Sequence, residues 1–82
     1  MRPQLYERVA LRADLPQHRL KAGDVVVLLD YVSHPKGGDD GAVVEVFNAL
    51  GQSITVATVA ASQLEPLTAD EVLAVRLLAG VG

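Results

Sequence analysis

The apolar and polar positions change their period along the chain. From Leu5 to Arg12 they alternate, with Leu5, Val9 and Leu11 on one side and Tyr6, Arg8 and Arg12 on the other. That is the period-two pattern of a half-buried strand. Glu7 falls on the inward side, so regular pairing starts after it or a bulge intervenes. Ala13-Asp14-Leu15-Pro16-Gln17-His18 reads as a turn, because Asp14 can cap its own following backbone and Pro16 pre-sets φ for a 3₁₀-like turn. Leu20 is placed to plug the core from that loop. Gly23-Asp24 then opens onto Val25-Val26-Val27-Leu28-Leu29, which has no polar alternation at all. Both faces of such a run should be covered. A buried helix segment could carry the same run, but β-branched valines and the Gly-Asp opening favour a strand that continues through Asp30-Tyr31-Val32.

Ser33 to Gly41 is polar, with three glycines and a proline, and reads as an exposed hairpin loop. Gly41 to Phe47 is the next strand, with Ala42, Val44 and Val46 inward. Asn48-Ala49-Leu50-Gly51-Gln52 is a tight connection in which Gly51 takes positive φ. Ser53 to Val59 pairs back, Ala61-Ser62-Gln63-Leu64 forms a 3₁₀ turn, and Leu64-Glu65-Pro66 is a last short strand whose Pro66 sits at an end or edge. The pattern then switches to a helical one. Thr68 and Glu71 have capping-box spacing, Leu67 and Val72 have staple spacing, and Asp70 and Glu71 suit the positive end of a helix dipole. The helix is expected to run to about Ala79 and stop at Gly80. The fold expected is mainly β: a five-stranded SH3-like barrel over residues 1–67, followed by a C-terminal apolar α-helix over residues 68–82.

Composition sharpens this picture in two ways. Half of the 82 residues are apolar, yet the aromatics are only Tyr6, Tyr31 and Phe47, so the core must be built from Val, Leu, Ile and Ala. So large an apolar share in one small domain leaves apolar surface that a single core cannot hide. Cysteine is absent, which excludes disulfides and thiolate metal sites. The net charge of −3 is unevenly spread. Residues 1–21 carry five cations (Arg2, Arg8, Arg12, Arg19, Lys21) against Glu7 and Asp14, whereas the remainder carries Lys36 and Arg76 against eight acids. An acidic whole argues against nucleic-acid binding, which draws most of its affinity from phosphate neutralisation. Met1-Arg2-Pro3-Gln4 leads into a charged strand, not the apolar run of a signal peptide, and no run reaches membrane-spanning length. A cytoplasmic protein is expected.

One set of residues follows a known pattern. Val9-Ala10-Leu11, Asp14-Leu15-Pro16, His18, Leu20-Lys21, Gly23-Asp24-Val25, Gly41, Val44-Glu45-Val46-Phe47, Gly51, Thr55-Val56 and Ser62-Gln63-Leu64-Glu65-Pro66-Leu67 resemble the uncharacterised bacterial family known as domain of unknown function 4926. The likeness spans roughly residues 5–67. This chain has Val26 where the family often has glycine. The resemblance implies a small SH3-like barrel with a partner encoded nearby, as in the neutralising half of a toxin–antitoxin-like pair. It brings no catalytic residues.

No catalytic constellation stands out. His18 and His34 are the only imidazoles. Asp30, Asp39 and Asp40 near His34 could supply oxygen ligands, but no spacing defines a site, and glycine-flanked acids are usually solvated loop residues. Asp14 and His18 are better read as tying down a turn than as an acid–base pair. Ser33-His34 lacks an orienting acid, and Gly37-Gly38 is followed by two aspartates that would repel a phosphate. No metal or cofactor is expected, and no enzyme.

The tail is more informative. On a helix, Val72, Leu73, Val75, Leu77 and Leu78 would point in most directions, and a helix apolar all round is covered on more than one side. The barrel can cover one side only. Either the last turn frays, or these five residues bind a partner. The function expected is a non-enzymatic protein–protein interaction module that docks a protein partner or a second copy, giving a homo-oligomer. The alternative is a small nucleic-acid-associated barrel using the basic first strand.

Overall fold

A computed structural model describes residues 2–78. Five strands carry the fold: β1 (Arg8–Leu11), β2 (Val25–Val32), β3 (Gly41–Phe47), β4 (Ser53–Ala60) and β5 (Leu64–Pro66). They form one antiparallel sheet in the order β4-β3-β2-β1-β5. Short 3₁₀ turns occupy Pro16–His18 and Ala61–Gln63. The second joins the strands at opposite ends of the sheet with three residues, so the sheet must curl strongly on itself.

Period-two patterning places the core on the inner face of that curl. Val9 and Val26 are paired, as are Leu11 and Leu64, Leu28 and Val44, Val44 and Ala57, and Ala42 and Val59. All of these are buried, together with Leu20 from the β1–β2 loop and Val46. Glu7 lies just before β1, and its carbonyl accepts from the Leu28 N–H at 3.0 Å. Gln4 and Glu7 close a turn before β1, and Tyr6 adopts φ 69°. Gly51 turns the β3–β4 hairpin at φ 81°, where Asn48 Oδ1 accepts from the Leu50 and Gln52 N–H groups.

Three expectations need correction. The sheet is open, not a closed barrel, because no ladder joins β4 to β5 among the described residues. β5 has three residues and ends in Pro66, which has no N–H to donate, so it cannot supply the missing seam. The Val25–Leu29 run is also not buried on both sides: Val26 and Leu28 are buried, whereas Val25, Val27 and Leu29 are half-buried. Lastly, no α-helix follows β5 among the described residues; Ala79 and Gly80, the expected helix end and stop, lie outside them.

The missing helix has a local cause. Glu71 Oε1 does accept from the Thr68 N–H at 2.6 Å, which is half of the capping box. The Thr68 hydroxyl, however, donates to Asp70 Oδ1 at 2.6 Å, and the Glu71 N–H goes to the Thr68 carbonyl at 3.1 Å. The same residues therefore close a turn. A helix of about 11 residues containing two valines is below the ~12–15 residues that persist without packing, and none of the described residues from Thr68 on is buried.

Candidate functional site

β5 leaves the sheet at Pro66, opposite Val9. The chain then passes through the Thr68–Glu71 turn and runs in irregular conformation to Leu78. Four of the five residues expected to bind a partner are open to solvent: Val72 keeps 90% of its accessibility, Val75 89%, Leu77 84% and Leu73 55%. The fifth, Leu78, is half-buried. They are thus gathered on one segment, but not on the faces of a helix.

This segment is tied down by one side chain. The Arg76 guanidinium donates to Asp24 Oδ1 through Nε at 2.9 Å and to Asp24 Oδ2 through Nη2, a two-pronged contact. Nη2 also donates to the Arg19 carbonyl at 3.1 Å, and Arg19 is held at φ 59° at the end of the first 3₁₀ turn. Asp24 is itself fixed at the entrance to β2. Its Oδ2 accepts from the Lys21 N–H at 2.8 Å, and its carbonyl accepts from the Leu11 N–H at 3.0 Å. A planar guanidinium meeting a carboxylate along two N–H directions gives geometric definition that a lysine could not. The tail therefore departs beside Val9 and is pinned again beside the loop that adjoins Leu11.

The electrostatics agree with the geometry. Burial pushes the Asp24 carboxyl up, but the Arg76 hydrogen bond, the Lys21 N–H and the two positive charges outweigh it, and the carboxyl lies below its ordinary 3.8. Arg76 is raised in turn, first by its hydrogen bond to Asp24. Both groups stay charged at neutral pH. The Asp70 carboxyl is also lowered, by the Thr68 hydroxyl and by its own backbone N–H.

The other residues singled out in the sequence are dispersed. Asp14 Oδ1 accepts from the Ala22 N–H at 2.9 Å, so it braces the β1–β2 loop across eight residues instead of capping its own backbone or bonding His18. His34 Nδ1 accepts from the Lys36 N–H at 3.1 Å. Around the β2–β3 loop, Asp39 accepts from the Ser62 hydroxyl and Asp40 pairs with Arg2 at 2.9 Å. Asp30 accepts from the Tyr31 N–H. Among the described residues no cluster of three or more His, Asp or Glu side chains could hold a metal ion. The basic N-terminal region is partly engaged on either side of β1: Arg2 stacks on the Tyr31 ring at 3.7 Å as well as pairing with Asp40, and Arg12 lies 3.5 Å from Glu65.

A mainly β domain with one curled, open five-stranded sheet is the class these observations define. Its family follows from the sequence: residues 5–66 match the family described as Domain of unknown function (DUF4926), and the chain belongs to that family. No curated protein and no solved structure gives a significant match. The matched region covers all five strands and stops where the tail begins. Asp24 is inside it and Arg76 outside.

The Arg76–Asp24 contact escapes a reading of the sequence. The available signal is that Arg76 is the single charge in the run Val72–Leu78. The carboxylate it meets is that of Asp24, in the turn at Gly23-Asp24.

Proposed function

We propose that this domain is a non-enzymatic protein-interaction module in which the curled sheet is a scaffold and the pinned tail is the docking element. The observation that supports this reading is the combination of exposed Val72, Leu73, Val75 and Leu77 with a charge clamp that fixes where they are presented. Apolar side chains left in water cost free energy, and burying each against a protein surface returns about 1.5–3 kcal/mol before the cost of association. The stretch from Pro66 to Arg76 is anchored at each end and loses less freedom on binding than a loose one, so the clamp raises affinity by pre-organisation. The partner is a protein with an apolar groove, in the manner of the neutralising half of a toxin–antitoxin-like pair, and the setting is the cytoplasm.

The test compares two baits in extracts of the host cell: the intact chain, and the chain carrying Val72→Ser, Val75→Ser and Leu77→Ser. The reading predicts a stoichiometric partner retained by the first bait and lost from the second, with both baits equally folded. A partner retained equally by both would contradict it. The reading prevails over nucleic-acid binding because Arg2 and Arg12 are already paired with acids, which reduces the positive field available to phosphates.

A further inference from the structure

The two edges of the sheet are treated unequally. β5 is short, ends in Pro66, and carries Glu65 beside Arg12. These are the devices that keep an edge from pairing with another chain: brevity, proline and charge. β4, at the other edge, has none of them. It is eight residues long, Ser53-Ile54-Thr55-Val56-Ala57-Thr58-Val59-Ala60, with no charge and no proline. Ile54, Thr55, Val56, Thr58 and Val59 are β-branched, the residues that suit strand pairing best. Residues 53–56 are exposed, Ile54 and Val56 among them, and Phe47 and Leu50 extend the apolar surface at the hairpin end. Among the described residues, no backbone bond outside the β3 ladder engages this strand.

We infer that β4 is the edge at which two copies of this chain pair, antiparallel and about a two-fold axis, to form a continuous sheet across both copies. Length and closure favour self-pairing over its rivals. Adding β4 of one copy to β5 of the next would be an open-ended contact, and β5 offers only three residues and a proline to it. Pairing β4 with β4 uses the full strand on both sides and closes on itself. Charge does not oppose it. Glu45 lies opposite Val56 one strand inward. Across the new seam the two Glu45 rows would be three strand spacings apart, about 14 Å, beyond the ~8 Å Debye length at physiological salt.

The faces restrict the register. Ala57 and Val59 point into the core, so paired residue numbers must sum to an even value or core residues of one copy would meet solvent residues of the other. The registers centred on the middle of the strand set Val56 beside Ile54, Val56 or Thr58 of the second copy. This contact is separate from the tail and does not depend on the role proposed for it.

Light scattering on the full chain over a rising concentration series tests the proposal. The mass should climb from 8.7 kDa to twice that value. Val56→Lys should hold the chain at the monomer mass with an unchanged circular dichroism spectrum, because it sets a lysine against the second copy at the seam. Thr58→Lys, at another exposed position of the strand, should do the same and serves if the first variant fails to fold. The tail variant Val72→Ser, Val75→Ser, Leu77→Ser should still double its mass. A wild-type chain that stays monomeric at the highest concentration overturns the proposal, and leaves the edge for a foreign strand. So does a dimer that survives both lysine variants, or one that only the tail variant abolishes.

Discussion

The sheet and the tail are made of the same side chains and meet opposite fates. Val9, Leu11, Val26, Leu28 and Val44 are almost wholly removed from water, whereas Val72, Val75 and Leu77 are almost wholly in it. Hydrophobicity alone does not distinguish them. In the sheet, the buried residues recur at every second position (Val9 and Leu11, Val26 and Leu28, Ala42 and Val44, Ala57 and Val59), and each of them faces an apolar residue on a neighbouring strand. In the tail, apolar residues succeed one another with a single arginine between them, and no neighbour of matching pattern lies alongside. Burial is a property of pattern and partner together. The tail has half of what it needs, and its position is set by a polar contact instead.

The comparison can be broken most severely from the sheet side. Leu28→Ala removes a fully buried side chain at the centre of β2, and large-to-small changes of this kind cost about 2–5 kcal/mol. For an 82-residue domain that is a large part of its stability, so urea unfolding should shift to much lower midpoints or the transition should vanish. A smaller effect is expected at the β3–β4 hairpin. Gly51→Ala meets no steric obstacle, yet the φ of 81° is costly for any L side chain, and thermal melting should fall by the equivalent of about 1 kcal/mol.

The clamp sharpens the comparison from the tail side. Arg76→Ala should reduce global stability by about 1 kcal/mol at most, the range of ion pairs near the surface. Its visible consequence is local: protease cleavage within residues 68–78 should accelerate while the sheet amides stay protected. Acid should reproduce that effect. Because the folded-state carboxyl of Asp24 is depressed, its contribution is complete above the unfolded value of 3.8 and disappears as pH falls through the lower folded value. Tail cleavage by an acid-active protease should therefore rise below about pH 4 in the wild type. In Asp24→Asn, cleavage by a neutral protease should be fast already at neutral pH, and cleavage by the acid-active protease should change little as pH falls below about 4. Least of all should be felt from Val75→Ser, a change at a solvent-exposed site that falls within about 0.5 kcal/mol of neutral.

Much of the sheet was legible in the sequence because its signals are local. Alternation placed β1, β3 and β4, Pro16 placed the first 3₁₀ turn, and Gly51 placed the hairpin with its positive φ. The bulge between Leu28 and Asp30, which shifts the register against β3, left no trace in the alternation, because all of Val25–Leu29 is apolar. Closure of the sheet turns on whether β4 and β5, joined by three residues, lie edge to edge; the brevity of β5 and its Pro66 are written in the sequence, but the angle of the chain at that joint is not. The tail misled for a different reason. Thr68 and Glu71 do bond to each other, so their spacing was informative about contact. It was uninformative about the conformation beyond Glu71, because a capping signal starts a helix only when packing sustains it. Arg76 and Asp24 are 52 residues apart, and their contact depends on the path of the tail across the fold. Among the candidate partner-binding residues, exposure of Val72, Leu73, Val75 and Leu77 agrees with the surplus of apolar side chains already evident in the composition.

The most direct test is urea unfolding of the intact chain beside a chain that ends at Leu67. If the tail is presented to others and not part of the core, the shortened chain should unfold in one cooperative transition with its stability lowered by no more than about 1 kcal/mol, the share assigned to the clamp. Loss of the transition, or a drop of several kcal/mol, would show that Val72, Leu73, Val75, Leu77 and Leu78 hold the sheet together, and would contradict a tail that serves a partner.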